Sequence, residues 1–184
     1  MAAADEQQLI TRAREGSRDA FRLLVERYMK QAYNVAFGFL NNHQGAEEVA
    51  QDAFVRAFRS LDTFRGEAEF STWLHRIVVN LSLNRIRHMR RKRERVIDMT
   101  DTDEPAADSG PGAAELDLAG HIERALHELP TLQRAAVILR HMDGLSTKQV
   151  SAILRCSEGT VKTHLFRGLE KMRKKLQYLN EETA

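Results

Sequence analysis

Lys162, Thr163, Phe166 and Arg167 fall on one face of a helix at spacings of one, three and four. An ammonium, a hydroxyl, an aromatic ring and a guanidinium there match the edges of paired bases. Lys and Arg donate to guanine O6 and N7, Thr serves either sense, and a ring packs on thymine methyls. The elements that would hold them are legible nearby. Val161, Leu165, Leu169, Met172 and Leu176 recur on the opposite face, and Ser157 is placed to cap this helix. Before it, Ser146 and Gln149 have capping-box spacing, followed by an apolar face of Val150, Ile153 and Leu154. Arg155-Cys156-Ser157 is the short break between the two. The pattern reads as a helix-turn-helix whose second helix suits the major groove. The competing reading is an amphipathic hairpin with a solvated basic face; capping, turn length and charge placement together favour the groove.

A second constellation lies upstream. Arg76, Asn80, Asn84, Arg87 and Arg91 form one stripe at spacings of three and four. The loop before it, Asp62 to Phe70, leads into Ser71 and Thr72 and offers Phe64, Arg65 and Phe70. A basic, amide-bearing stripe beside an aromatic loop suits single-stranded nucleic acid, with phosphates held and a base stacked or flipped. Phe64 and Phe70 have a rival place in the core, and Trp73 is expected there because Leu74, Ile77 and Leu81 surround it in the pattern. Ser71 is expected to cap the long helix that carries the stripe. Upstream, Ser17 could cap a helix with a face of Phe21, Leu24, Val25 and Tyr28. A separate short helix through Val35, Phe37 and Leu40 ends at Asn41-Asn42. A third runs through Val49, Ala53, Phe54, Ala57, Phe58 and Leu61, with Glu48, Gln51, Asp52, Arg56 and Arg59 outward.

The whole chain thus reads as all-α, with two small helical domains. The first covers residues 1–95 and the second 118–184, where about four helices include Ile122, Leu126 and Leu129, then Leu132, Ala136 and Leu139 after Pro130. Between them, residues 96–117 carry two prolines, two glycines and a dense acidic run, the composition of a flexible linker. Net charge is only +2 over 184 residues, so its distribution says more. Seven bases and one acid lie between Arg85 and Arg95, seven acids and no base between Asp98 and Asp117, and six bases and one acid between Thr160 and Lys175. Such blocks mark interaction surfaces.

Several classes are disfavoured. Mean hydropathy is −0.47 and no apolar run approaches a membrane span, so no membrane insertion is expected. The start, MAAADEQQL, lacks a signal-peptide pattern, so the expected address is cytoplasmic. A single cysteine, Cys156, excludes an internal disulfide, and the scattered histidines show no ligand spacing, so neither metal nor cofactor is expected. No catalytic grouping or phosphate-binding glycine loop stands out, so the chain is not expected to be an enzyme.

AEEVAQDAFVRAFRSLDTFRGEAEFSTWLHRIVVN (residues 46–80) resembles the core of region 2 of bacterial sigma-70 family factors. ELPTLQRAAVILRHMDGLSTKQVSAILRCSEGTVKTHLFRGLEKMR (residues 128–173) resembles region 4. Both in this order, without an intervening region 3, resemble the small extracytoplasmic-function (ECF) group. The resemblance implies a sigma factor that binds core RNA polymerase and directs promoter-specific initiation. It puts −35 duplex contacts on Lys162, Thr163, Phe166 and Arg167. It puts capture of the melted −10 strand on Phe64, Arg65, Phe70, Ser71, Thr72, Arg76, Asn80, Asn84 and Arg87. Contact with the polymerase β′ clamp helices falls on Glu48, Gln51, Asp52, Val55 and Arg56. Further implied partners are the β flap, promoter DNA and an anti-sigma factor.

Magnitudes point to a large partner independently. Opening roughly a dozen base pairs at about 1.4 kcal/mol per step costs on the order of 15 kcal/mol. A few stacked bases return only about 1–3 kcal/mol each. The linker passes a length test: about 20 extended residues at ~3.3 Å reach roughly 65 Å, enough for about 17 base pairs at ~3.4 Å each. The alternative is an autonomous helix-turn-helix regulator, which leaves the constellation between Asp62 and Arg95 unexplained.

Overall fold

A computed structural model describes residues 2–97 and 118–177, and every described element is helical. The acidic linker falls almost wholly outside the described residues. The first unit holds α1 (Ala2–Arg14), α2 (Arg18–Leu40), α3 (His43–Arg59), a 3-10 turn (Leu61–Thr63) and α4 (Phe70–Ile97). The second holds α5 (Leu118–His127), α6 (Thr131–Val137), α7 (Thr147–Leu154) and α8 (Glu158–Leu176).

Local chemistry sets the helix ends. The Ser17 hydroxyl accepts from the Ala20 amide at 3.3 Å and starts α2. Asn41, at φ 49°, closes α2 in the left-handed region that asparagine tolerates better than most residues. Its neighbour Asn42 then caps α3, accepting from the Gly45 amide at 2.6 Å. The two expected helices through Phe21 and Val35 are instead one continuous α2. Its buried stripe runs Leu24, Ala32, Val35, Ala36, Phe39, and the small alanines bridge what reads as a gap between two apolar faces.

Ser71 does not cap α4. The helix already begins at Phe70, the Trp73 amide donates to the Glu69 carbonyl at 3.1 Å, and Ser71 sits inside the first turn. α1, an element absent from the sequence reading, buries Leu9, Ile10 and Ala13. Arg27 of α2 ties it down through Asp5 (3.2 Å) and Glu6 (3.4 Å), and the Tyr28 hydroxyl donates to Glu6. Burial and the Glu6 carboxylate push the Tyr28 phenol above its usual range.

In the second unit α8 lies against α6 so closely that a Cβ on Gly168 would come within 3.0 Å of Val137 Cγ2. After Val137 the helix widens into a π turn over Ile138–Met142, closed by the Asp143 amide on the Ile138 carbonyl. Single π turns of this kind tend to accompany functional positions. Here it delivers Asp143 to the other unit. The same seam brings Ile138 against Gly38 of α2, where a Cβ would meet Ile138 Cδ1 at 3.0 Å. The two units therefore share one apolar core.

Candidate nucleic-acid interface

The helix-turn-helix follows its expected caps. Ser146 accepts from the Gln149 amide at 3.2 Å, while Gln149 Oε1 accepts from the Ser146 amide at 2.8 Å. Arg155 makes the turn at φ 54°, Cys156 packs half-buried against the core, and Ser157 accepts from the Thr160 amide at 3.1 Å. Val161 is fully buried and Leu165 and Met172 pack beside it, so the opposite face of α8 is presented to solvent. Lys162, Thr163, Phe166 and Arg167 are all exposed there. Phe166 is 70% exposed, an unfavourable state for a phenyl ring unless something covers it.

Inside this unit, Arg134 donates to His127 Nδ1 at 2.9 Å and to its carbonyl at 3.2 Å. A guanidinium only donates, so His127 accepts there with a neutral ring. Burial, with the Arg134 charge added, pulls its pKa down to about 4.

The residues expected to take a single strand are split by the fold. Asn80, Asn84, Arg87 and Arg91 are exposed along α4, and Arg87 donates to Asn84 Oδ1 at 2.9 Å. Arg65 is exposed, and Ser71 and Arg76 are half-buried. Phe64 and Phe70 instead occupy the core, 5% and 1% exposed. Their rings lie 5.8 Å apart, and each packs against half-buried Trp73 at 5.4 and 5.6 Å. Phe70 also meets Tyr28 at 5.4 Å. In this arrangement the two phenylalanines form a floor beneath a surface site and offer no free face for stacking. Thr72 is 2% exposed, because α7 lies over it.

A cleft of about 610 Å³ lies above that floor. Phe64, Phe70, Thr72, Arg76 and Glu69 line one side, Glu6, Gln7 and Ile10 of α1 another, and Lys148, Gln149 and Ala152 of α7 form the roof. Arg76 Nε is buried with no hydrogen-bond partner. Aromatic floor, hydroxyl, carboxylate and guanidinium are the ingredients of a nucleobase seat. Sequence reasoning missed α1 and the whole roof, for Gln149 and Thr72 are 77 residues apart.

On α3, Gln51, Asp52, Val55 and Arg56 are exposed on one face, and Val55 at 50% exposure joins Phe58 at 45%. Glu48 is engaged within the unit: Arg85 reaches it at 2.6 Å and Gln44 at 3.1 Å, and both hold its carboxyl below the usual range. Among the described residues no helix is long and apolar enough to cross a membrane, and no His, Cys, Asp and Glu cluster could hold a metal.

Comparison with known proteins fits both constellations. The family model for Sigma-70 region 2 matches residues 24–93, and that for Sigma-70, region 4 matches residues 120–172. The chain is 34% identical to the RNA polymerase sigma-H factor of Pseudomonas aeruginosa, with 96% of each chain covered. It is 34% identical to the ECF RNA polymerase sigma factor SigW of Bacillus subtilis, over 92% of this chain and 96% of the other. It is 33% identical to the ECF RNA polymerase sigma-E factor of Escherichia coli K12, over 95% of each. Among solved structures, CnrH bound to the cytosolic domain of CnrY aligns with a TM-score of 0.70 at 25% identity, over 95% of this chain and 98% of that one. RpoE bound to the anti-sigma factor NepR, from Bartonella quintana, shares the fold with a TM-score of 0.67 at 24% identity, over 85% and 96%. The chain belongs to the sigma-70 family of RNA polymerase sigma factors, in its extracytoplasmic-function group.

Proposed function

We propose that this sigma factor divides its work between a duplex-reading face and a strand-capturing site. Residues 118–184 form the −35 module, and Lys162, Thr163, Phe166 and Arg167 of α8 contact base edges and backbone. Each good base contact gives roughly 1–3 kcal/mol of discrimination. Residues 1–95 form the −10 module. Asn80, Asn84 and Arg87 track the backbone of the opened strand. Thr72 and Arg76 line the seat for an unpaired base, Arg65 and Ser71 stand next in sequence to residues that line it, and Phe64 and Phe70 support it from below. The linker, 96–117, joins the modules.

The single observation that carries this reading is the exposed face of α8: a phenyl ring 70% exposed between cations, on a helix otherwise buried along its opposite side. A ring so placed matches a groove lined with thymine methyls better than it matches water. Core polymerase supplies the energy of opening, and Gln51, Asp52, Val55 and Arg56 on α3 meet its clamp helices. Glu48 acts there through Arg85, keeping α3 and α4 in register. The β flap is the contact of the −35 module. The chain works in the cytoplasm, performs no catalysis of its own, and is held in check by an anti-sigma factor; the anti-sigma partner of a structural relative supports that last part.

Run-off transcription with core polymerase on a promoter library tests the proposal. Selective transcripts that require this chain are expected. Absence of any selective transcript, with tight duplex binding by the isolated chain, would instead make it an autonomous regulator.

A further inference from the structure

Two residues at the start of the duplex-reading helix run against their own local preferences, and no contact among the described residues explains either. Arg155, in the turn before α8, sits at φ 54° and ψ 45°, the left-handed region that disfavours an L side chain other than Asn or Asp. Every other described residue at positive φ is a glycine or an asparagine: Gly16, Asn41, Gly66 and Gly144. The Arg155 side chain is exposed and makes no ion pair or hydrogen bond among the described residues, not even with Glu158 three residues on. Further along α8 the cations Lys174 and Lys175 are paired, with Glu170 and Glu128. Gly159, in the first turn of α8, is the second case. Glycine weakens a helix relative to alanine, yet a Cβ there would meet only Ser157 Oγ, at an ordinary 3.7 Å. Gly168 in the same helix is different, because Val137 leaves no room for a side chain. Arg155, Ser157, Glu158, Gly159 and Thr160 are all exposed, with half-buried Cys156 alone turned inward in that run.

We propose that Arg155 holds a backbone phosphate of the −35 duplex, and that Gly159 keeps the adjoining surface of α8 bare so that the strand can come close. The inference rests on the proposed −35 role of α8 and extends it beyond Lys162, Thr163, Phe166 and Arg167. Those four side chains can read base edges only if the helix enters the groove in one register, and contacts to phosphate are what fix register. A guanidinium suits that task, because its planar fork matches two phosphate oxygens. Glu158 makes the need specific to this turn. Its carboxylate favours the helix start but repels a phosphate passing the same turn, and Arg155 supplies the offsetting charge. Glycine serves where another backbone must approach. A β-carbon on Gly159 would clash with nothing inside the chain and would stand in the path of the strand. The disfavoured backbone at Arg155 and the weakened first turn at Gly159 are thus both concessions to duplex binding.

Holoenzyme assembled from core polymerase and the full chain tests this on a promoter obtained by run-off transcription. Binding of the labelled duplex is measured from about 50 to 200 mM salt, for the natural −35 element and for single-base variants of it. Arg155→Asn removes the charge with a residue that tolerates the left-handed turn, as Asn41 does. It should unfold in denaturant at or above the wild-type midpoint and weaken the complex roughly fivefold or more. It should also make the slope of log affinity against log salt shallower by about one. The loss should be the same factor for every −35 variant, since a phosphate carries no sequence. Arg155→Lys should keep the wild-type slope. Gly159→Ala should leave the fold at least as stable as wild type and still weaken the complex. An unchanged salt slope in Arg155→Asn, or full-strength binding by Gly159→Ala, overturns the inference while leaving the −35 reading intact. Wild-type holoenzyme that binds equally whatever the −35 sequence overturns both.

Discussion

The two modules present their proposed nucleic-acid sites in opposite ways. The −35 face is one side of one helix, capped at Ser157, backed by Val161 and open to solvent along Lys162, Thr163, Phe166 and Arg167. The proposed −10 site is a cleft assembled from α1, the loop after the 3-10 turn and the start of α4, over a floor of Phe64 and Phe70. Duplex arrives with its base edges already displayed, so a rigid face suffices. An unpaired base has to be enclosed, so its site is concave and can be roofed. The difference teaches that the same change, deleting a side chain, should damage recognition in one module and folding in the other.

The largest effect should come from the floor. Phe70→Ala removes a ring that touches Tyr28, Phe64 and Trp73, and is expected to cost about 3–5 kcal/mol in denaturant unfolding. A cost below about 1 kcal/mol would show that the floor is not core. On the open face, Arg167→Ala should leave unfolding within about 0.5 kcal/mol of wild type. It should weaken −35-dependent transcription by about 1–3 kcal/mol of discrimination. Equal losses of stability in both variants would erase the contrast. Smaller again is the cap: Ser157→Ala should cost about 1 kcal/mol of stability. Because α8 starts there, it should also lower −35 binding without altering which bases are read.

The effect smallest at neutral pH is that of His127, which appears only as pH falls. His127 has its pKa lowered to about 4 by burial and by Arg134, against an ordinary 6.5. The unfolded chain therefore takes up this proton first. The histidine's contribution is complete above about pH 6.5, falls as pH drops from there to about 4, and is flat below. Melting curves from pH 7 to 4 should show the loss, and His127→Gln should flatten it. An unchanged slope in that variant would place the pH dependence elsewhere.

How much of this was legible in the sequence depended on distance along the chain. The capping box at Ser146 and Gln149, and the cap at Ser157, are settled within three residues, so pattern alone reads them. The −35 set needs only one helical face. α2 was harder, because Ala32 and Ala36 carry its buried stripe without the bulk that marks one. Ser71 looks like a cap because nothing in its type records that the first α4 hydrogen bond already runs from Trp73 to Glu69. α1 has only Leu9, Ile10 and Ala13 to announce it. The seam was out of reach: Gln149 with Thr72, Asp143 with His75 and Ile138 with Gly38 are joined by packing across the whole chain. No local period encodes those pairs, and the floor beneath Thr72 follows from the same packing.

Permanganate footprinting of a promoter found by run-off transcription tests the division of labour most directly. With core polymerase and this chain together, unpaired thymines should become reactive at the −10 element while the −35 element stays paired and protected. Arg167→Ala should lose the upstream protection. Reactive thymines with core polymerase alone, or an upstream footprint indifferent to Arg167, would contradict a factor that reads one element as duplex and captures the other as strand.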